Sequence, residues 1–467
     1  MSAARPANVL VIVADDMGYG DFGLFNDGRS RTPALDRLAQ EGICLTQHYS
    51  GSPVCAPARA SLLTGRYPHR TGAIDTLQGR GLDRIALSEV TIADLFLDAG
   101  YRTGLVGKWH NGALDPRYHP NARGFERFVG FSGGLSDYWD YHLDVNGTEV
   151  AGDGTYLTDV FTEQADAFVR ADDARPFFLL LAYNAPHFPM QAPQELVDRY
   201  VEAGETLGAA LTYAMIEVMD AGTGRLDATL AELGIADETI VVFTSDNGPY
   251  LGEVLGVSLD RFNAGLRGAK HYVFEGGIRV PALVRWPAGI DGGRTVDVPT
   301  HFADWLPTLA AAASVPVPEL ALDGEDVLET LRGSAPPAGF ERFWQNNRYA
   351  PRREGNAAMR DGPWKLVYPV IPELMKVTDE DRLIDRALNY RLEGRITSVD
   401  DSPLPWFPVE SPPAPMLFDV DEDPGEMTDL AAAHPERVER MVRELDRWFA
   451  EVETERAAID DPPLDTA

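Results

Sequence analysis

The pair Cys55 and Arg59 is the first place where residue types and spacing could carry out chemistry. Pro57 is tolerated in a first helical turn, Ala58–Leu63 favours a helix, and Gly65 can end it. The spacing therefore predicts Cys55 at a helix N-terminus, where free backbone N–H groups favour negative charge. Arg59 would then lie one turn further on the same face. This pattern indicates a nucleophile or bound anion beside a guanidinium, although a small buried cysteine near a surface arginine would look the same.

Four short apolar runs are each followed directly by residues that bind metals, hold anions or transfer protons. The runs are Val9–Ala14, Thr103–Val106, Phe177–Ala182 and Ile240–Thr244. The segments that follow them are Asp15-Asp16, Gly107-Lys108-Trp109-His110, Asn184-Ala185-Pro186-His187 and Ser245-Asp246-Asn247-Gly248. In open α/β sheets, ligands bind outside the carboxyl ends of the strands. One such segment could be a solvated loop, but four together favour a single functional site.

The elements that must position these residues are strands alternating with helices. Short runs rich in Val, Ile, Leu and Phe suit strands buried on both faces of a largely parallel sheet. Between them, Ser88–Ala99 is predicted as a helix with Ser88 as N-cap and Gly100 as terminator. Thr206–Leu233 also carries apolar residues at helical spacing. The alternation predicts an α/β/α sandwich.

A smaller second domain is predicted after about residue 335. Ala358–Val367 reads as a hairpin that turns at Asp361-Gly362, and Leu417–Val420 as another strand. Pro435–Val452 is an amphipathic helix, whereas Ser402–Pro415 is Pro-rich and expected to be extended. A single core stops growing at roughly 250–300 residues. The 467-residue chain is therefore predicted to contain a catalytic domain, 1–335, and an α+β domain with an antiparallel sheet, 336–467.

The composition excludes several classes of partner. A net charge of −32 disfavours nucleic acid, since phosphate binding needs a basic face. No apolar run is long enough to span a bilayer, and the short apolar stretch near the N-terminus runs directly into Asp15 without a cleavage site. A cytoplasmic enzyme with no membrane partner is expected. The two cysteines, Cys44 and Cys55, offer no disulfide framework if Cys55 does chemistry; the oligomeric state is not indicated.

Lysine is unusually scarce. Only four of the 41 basic residues are lysines: Lys108, Lys270, Lys365 and Lys376. Where arginine serves almost everywhere, a remaining lysine hints at a need for a compact, titratable ammonium. Lys108 follows a predicted strand end, whereas Lys365 is expected in a strand and Lys376 at the surface.

The stretch Pro53–Arg66, with Cys55-Ala56-Pro57-Ala58-Arg59 at its centre, closely resembles the signature of the type I, formylglycine-dependent sulfatases of the alkaline phosphatase superfamily. The one departure is Ala58, where serine is usual. Further motifs resemble those of the same family and appear in its order: Val13–Asp21, Gly107–His110, Ala185–His187, Ser245–Gly248, Leu266–Lys270, Glu275–Pro281, Leu417–Asp419 and Asp423–Glu426. Residues 370–416 match less clearly.

The resemblance implies an alkaline-phosphatase-like fold, an arylsulfatase-like activity and a metal site. The implied ligands are Asp15, Asp16, Asp246, Asn247 and an oxygen of modified residue 55. Oxygen ligands suit Ca²⁺, with Mg²⁺ or Mn²⁺ as alternatives, better than Zn²⁺. The implied maturation partner is a formylglycine-generating enzyme that oxidises Cys55.

The resemblance also implies a mechanism. Formylglycine 55 hydrates, and one hydroxyl, deprotonated with help from Asp246, attacks the sulfur of the ester. Three cations, Arg59, Lys108 and Lys270, offset the charge on the sulfuryl oxygens and the diol. Lys270 or His187 protonates the leaving alcohol. The second hydroxyl then loses a proton to His110, which expels sulfate and restores the aldehyde.

Three functions compete at this point. The leading one is a sulfatase acting on small aryl, alkyl or sugar sulfates, which the Asp15-Asp16 pair and the surroundings of Lys270 favour. The second is a phosphonate monoester or phosphodiester hydrolase of the same superfamily. The third is a sulfated-glycan-binding protein with a dead site, which predicts missing catalytic residues. The net charge argues against long polysulfated substrates.

The substrate pocket is expected to be lined by Gly133–Tyr141, Tyr250–Phe262 and residues 370–416. Three aromatic residues of the first segment could stack on a sugar or aryl ring, or could simply pack a loop. They are Tyr138, Trp139 and Tyr141.

Overall fold

A computed structural model of the chain describes residues 6–334, 339–390, 396 and 398–461. Its strands are β1 Asn8–Ala14, β2 Ile43–Leu45, β3 His48–Tyr49, β4 Arg102–Lys108, β5 Arg127–Phe131, β6 His142–Val145, β7 Thr148–Ala151, β8 Phe177–Ala182, β9 Thr239–Ser245, β10 Glu253–Val254, β11 Val257–Ser258, β12 Ala282–Arg285, β13 Arg294–Val296, β14 Thr300–His301, β15 Glu341–Gln345, β16 Ala357–Asp361, β17 Trp364–Tyr368 and β18 Met416–Asp419. Its α-helices are α1 Pro33–Glu41, α2 Cys55–Thr64, α3 Pro68–Thr71, α4 Ile92–Asp98, α5 Leu157–Val169, α6 Gln194–Glu202, α7 Leu207–Glu232, α8 Glu275–Ile278, α9 Trp305–Ala313, α10 Leu328–Arg332, α11 Asp379–Tyr390 and α12 Pro435–Ala457.

The large sheet has ten strands in the order β13-β2-β12-β9-β1-β8-β4-β5-β6-β7. The five central strands, from β9 to β5, pair in parallel. Antiparallel pairings occur towards both edges. All four predicted apolar runs are strands of the parallel centre. Their carboxyl ends therefore meet at one edge of the sheet, as expected.

Helices cover both faces of this sheet. Successive residues of β1 alternate between two cores, because side chains of a strand point to opposite faces. Val9, Val11 and Val13 face the core formed with α2, α4 and α9. Leu10 and Ile12 face the core formed with α1, α5, α6 and α7. The predicted α/β/α sandwich is confirmed.

Local signals placed most helices correctly and one helix start wrongly. Helix α2 begins at Cys55 and ends at Thr64. The next residue, Gly65, caps it with a φ of 69°, which suits glycine. The predicted N-cap Ser88 was wrong. Helix α4 begins at Ile92, because Thr91 accepts a hydrogen bond from the Asp94 backbone and forms a capping box with it. Among the described residues, no helix is long and apolar enough to cross a membrane.

The second sheet has four antiparallel strands in the order β15-β16-β17-β18. One face packs against Met441, Leu445 and Trp448 of α12. Its other face packs against Val273 and Phe274, which directly precede α8, and against Ile278, the last residue of α8. The predicted hairpin, strand and C-terminal helix are confirmed. The predicted boundary between residues 335 and 336 lies outside the described residues and stays a prediction.

Candidate active site

The two acidic segments meet where predicted, beyond the parallel strands β1 and β9. Asp15 and Asp16 follow β1, and Asp246 and Asn247 follow β9. The Asp16 backbone N–H donates to Asp246 Oδ1 at 3.2 Å, and Asn247 Nδ2 donates to Asp16 Oδ1 at 2.7 Å. Asp16 has a positive φ of 66°, which turns the chain sharply after the strand. All four side chains are buried.

Two oxygens of this cluster lack a hydrogen-bond donor among the described residues. They are Asp15 Oδ1 and Asn247 Oδ1, both fully buried. Ligand atoms of Asp15, Asp16, Cys55 and His187 also lie within 4.8 Å of one another. A buried oxygen without a donor is costly unless it meets a cation or water. The donor set therefore fits a metal ion with a preference for oxygen.

Arg59 connects the helix α2 with the end of β9. Its Nε and Nη2 donate to Asp246 Oδ2 at 2.9 and 2.8 Å, and its Nη1 donates to the carbonyl of Lys108 at 3.1 Å. The pKa of Asp246 is nevertheless raised to about 6, because burial and the nearby Asp15 outweigh the attraction of Arg59. The guanidinium fixes the orientation of this carboxyl and links two strand ends.

Two lysines hold the remaining carboxylates. Lys108 Nζ lies 2.6 Å from Asp15 Oδ2. Lys270 Nζ lies 2.7 Å from Asp16 Oδ1 and 3.2 Å from Cys55 Sγ. Burial lowers the pKa of Lys270, but the attraction of Asp16 more than offsets it and the pKa is raised. The two lysines and Arg59 therefore bring three positive charges to the three carboxylates.

Cys55 is the first residue of α2 and points into this cluster of charges. Burial alone would raise the pKa of its thiol. The positive charges of Lys108 and Lys270 outweigh this effect and lower the pKa to about 6. Neither Cys55 nor Cys44 is in a disulfide. Residue 55 therefore occupies an electropositive position that stabilises negative charge on its side chain.

The two selected histidines line the same cavity as Cys55. His187 Nδ1 donates to the carbonyl of Phe188 at 2.7 Å, which leaves Nε2 facing Asp16 Oδ2 at 3.7 Å. His110 has a positive φ of 58° and lines the cavity. Its pKa is well below the usual value because of burial and then of Lys108. The imidazole is therefore neutral at neutral pH.

A cavity of about 1200 Å³ opens above Cys55. Each of the three predicted lining segments contributes to it, for example through Gly134, Tyr250 and Tyr390. The three aromatic residues proposed to stack on a substrate do not line it. Tyr138 instead is buried, and its hydroxyl donates to the carbonyls of Asn184 and His187. The structure agrees with the alternative given above, that these aromatic side chains pack the loop.

Sequence reasoning missed several residues around the site. Gln78 and Arg348 line the cavity but lie outside the three predicted segments, and the part of residues 370–416 that lines it includes a helix, α11, which was not predicted. Lys365, expected only as a strand residue, is fully buried with its Nζ 2.8 Å from Glu275 and 3.0 Å from Glu426. The scarcity of lysine was the signal that could have found Lys365.

The chain is similar to known proteins over nearly its whole length. The sulfatase family model matches residues 7–315. Steryl-sulfatase of Mus musculus is 32% identical over 99% of this chain and 84% of the relative. Arylsulfatase A of Homo sapiens is 31% identical over 93% and 86%. The crystal structure of Ps i-CgsB in complex with k-i-k-neocarrahexaose is similar with a TM-score of 0.78 and 30% identity, covering 95% of this chain and 93% of that one.

The class defined by the sandwich and its buried site is a hydrolase of the alkaline phosphatase superfamily. Within that class the chain belongs to the sulfatase family and is a sulfuric ester hydrolase. A phosphonate monoester hydrolase of Agrobacterium radiobacter has a TM-score of 0.62 at 19% identity, a likeness that shows the fold alone. The leading prediction of a sulfatase is confirmed.

Proposed function

We propose that the chain hydrolyses monoesters of small aryl, alkyl or sugar sulfates with a formylglycine made from Cys55 and a bound Ca²⁺. The observation that carries this proposal is a pair of buried oxygens without a donor among the described residues, Asp15 Oδ1 and Asn247 Oδ1, in the acidic cluster that Cys55 adjoins. A dead binding site would not need this arrangement. All ten predicted site residues are present in or around the cluster.

The metal would be held by Asp15, Asp16, Asp246, Asn247 and an oxygen of modified residue 55. Ca²⁺ suits this set because it takes six to eight oxygen ligands in a flexible geometry. Mg²⁺ and Mn²⁺ are alternatives with the same preference for oxygen. When bound, the ion supplies a Lewis acid that lowers the pKa of a hydroxyl and polarises the ester.

Formylglycine at position 55 would supply the nucleophile as its hydrate, since an aldehyde hydrate carries two hydroxyl groups on one carbon. Asp246 is placed to accept the proton of the attacking hydroxyl, with Arg59 fixing its orientation. Lys108 and Lys270 hold positive charge beside the position where the sulfuryl oxygens must lie. A separate formylglycine-generating enzyme is required for this maturation, and a cytoplasmic location stays a prediction.

The remaining proton transfers are assigned to the groups that line the cavity. Lys270 is charged and lies within hydrogen-bond distance of residue 55, so it can donate to the leaving alcohol. His187 is the second candidate, since its Nε2 faces the cluster. His110 lines the same cavity as residue 55 with a neutral imidazole, and it is assigned the proton of the second hydroxyl when sulfate leaves.

The first test is the mass of the peptide that contains residue 55, together with turnover of 4-nitrophenyl sulfate. The proposal expects the lighter formylglycine in active protein and loss of turnover in Cys55→Ala. The matched control is Cys44→Ala, which alters the other buried cysteine, outside the cluster. An unmodified thiol in fully active protein would overturn the mechanism and leave the family assignment intact.

The second test addresses the metal and the reaction class. Asp16→Asn should weaken Ca²⁺ binding measured by calorimetry on purified protein, a readout independent of turnover. The ratio of kcat/KM for 4-nitrophenyl sulfate to that for a matched phosphate diester should favour the sulfate. A ratio below one would instead support the phosphodiesterase alternative.

A further inference from the structure

Helix α11 is held against the cavity by one stripe of polar residues at intervals of four. Asp381 forms an ion pair with Arg80 and accepts from the hydroxyl of Tyr349 at 2.6 Å. Asp385 accepts from the Gly79 backbone at 3.2 Å. Asn389 Oδ1 accepts from Gln78 Nε2 at 3.1 Å and from the backbones at 134 and 135 at 3.0 and 3.3 Å. Helix α11 is therefore a fixed wall of the site and not a surface appendage.

The adjacent stripe of the same helix faces the cavity with Arg382, Arg386 and Tyr390. The two arginines are four residues apart, so their side chains are neighbours on one helix face. Both are exposed, and neither forms an ion pair with any residue that the structure describes. Arg382 donates from Nε to the carbonyl of Val377, and Arg386 has no hydrogen-bond partner within the described ranges. Their guanidinium groups remain available to a ligand.

The charge of the cavity is opposite to that of the molecule. The chain carries 73 acidic and 41 basic residues. Among the residues that the structure describes, the charged side chains lining the cavity are nevertheless Lys270, Arg348, Arg382 and Arg386 against one acid, Asp385. Lys270 and Arg348 are already engaged, the latter by Asp75 at 2.9 Å. The arginines of α11 therefore supply positive charge that the chemistry at residue 55 does not use.

The size of the cavity supports the same conclusion. Pockets that enclose drug-sized ligands measure about 300–1,000 Å³, whereas this one measures about 1200 Å³. A sulfate ester on a single ring would leave part of it unfilled. A substrate with a second group beyond the ester can reach from residue 55 towards the wall that α11 forms.

We propose that Arg382 and Arg386 form a second anion-binding subsite, which recognises a carboxylate or a second sulfate on the substrate away from the ester that is cleaved. The proposal rests on the sulfatase activity proposed above and narrows its substrates to doubly anionic small esters. A guanidinium pair suits this role, because it binds planar or tetrahedral oxyanions with paired hydrogen bonds.

The test compares substrates that differ only in the second charge. One pair is the sulfate ester of 4′-hydroxybiphenyl-4-carboxylate and that of its carboxamide. The other is N-sulfoglucosamine 6-sulfate and N-acetylglucosamine 6-sulfate. Arg386→Ala should lower the ratio of kcat/KM, charged to neutral, by about ten- to hundredfold, and Arg382→Ala should lower it in the same direction. If the variants lower the ratio of kcat/KM only in the carboxylate pair, the natural second group is a carboxylate. If they lower it only in the sulfate pair, the natural second group is a sulfate.

Arg443→Ala is the matched control, because Arg443 is an exposed helical arginine on α12, paired weakly with Glu439. It removes the same charge and should leave both ratios unchanged. Equal ratios in Arg386→Ala and in the unaltered protein would overturn the subsite. Affinity of the same four esters for Cys55→Ala protein, with and without Arg386→Ala, measures the subsite without turnover. Absence of turnover of every ester, with charge-dependent binding retained, would refute the proposed function but not the subsite.

Discussion

Lys365 joins the small sheet to the segment that carries the active-site lysine, and its removal should be strongly destabilising. Its Nζ lies between Glu275 and Glu426, and all three side chains are fully buried. Glu275 also accepts from the Tyr49 hydroxyl at 2.6 Å, and its backbone N–H donates to Glu426 at 2.7 Å. Lys365→Met keeps a chain of similar length and removes only the ammonium.

The expected cost follows from what Lys365→Met leaves behind. Breaking a buried ion pair by removing one partner costs about 3–5 kcal/mol, since the other charge stays buried without compensation. Here two carboxylates lose their shared cation. Protonation of Glu426 relieves part of this cost, because burial already raises the pKa of that carboxyl to about 7. A loss of about 3 kcal/mol in the free energy of unfolding is the expected result at neutral pH.

Urea denaturation followed by tryptophan fluorescence measures this change. Lys376→Met is the control, because Lys376 is an exposed lysine and should change stability by less than about 0.5 kcal/mol. The double variant Glu275→Gln/Lys365→Met should lose less free energy of unfolding than the sum of the losses in the two single variants. Equal midpoints for Lys365→Met and Lys376→Met would refute the reasoning.

Three further predictions concern the same frame and the site. The pKa of Glu426 is about 7 in the folded protein, above its ordinary 4.5. The free energy of unfolding relative to Glu426→Gln should therefore be greatest below pH 4.5 and decline as the pH rises through about 7. Urea titrations at several pH values measure this difference. Arg59→Lys keeps the charge but cannot reproduce the paired contact with Asp246, so kcat/KM for 4-nitrophenyl sulfate should fall by about a hundredfold; unchanged kinetics would contradict the positioning role. In Gly134→Ala the new Cβ would meet the His110 ring at 2.8 Å, so turnover should fall while Gly339→Ala, in open space, remains active.

The parallel centre of the large sheet was predictable because its signals are local. Each central strand is a short apolar run that ends in polar residues, and the sheet must place those ends together. Cys55 at a helix start was predictable from Pro57 and Gly65 in the same way. The N-cap of α4 was misassigned to Ser88, although Thr91 and Asp94 have the spacing of a capping box and Ser88 has no acidic residue three positions later.

The cavity walls were predicted only as three segments, and the individual residues could not be, because they come from distant parts of the chain without a shared pattern. Gln78 and Asn389 meet through a hydrogen bond across more than 300 residues. Helix α11 lies in the region with the weakest family resemblance. Its sequence is amphipathic, but Leu383 is exposed and the contacts that fix the helix come from Asp385 and Asn389, so the apolar periodicity does not indicate which face packs. Tyr138 shows the opposite error, since an aromatic residue near a site was given a ligand-binding role that buried packing explains.

The lysine at position 108 has a physical reason in the oxygen of Asp15 that lacks a donor among the described residues. Lys108 contacts Asp15 through one point charge on Oδ2, and Oδ1 of the same carboxylate stays free. An arginine fork at this position would engage both oxygens and compete with the proposed metal. Arg59 can use its fork on Asp246 because both donors converge on Oδ2, which leaves Oδ1 to accept from the Asp16 backbone. Lys108 therefore holds Asp15 through one oxygen and leaves the other oxygen to the proposed metal.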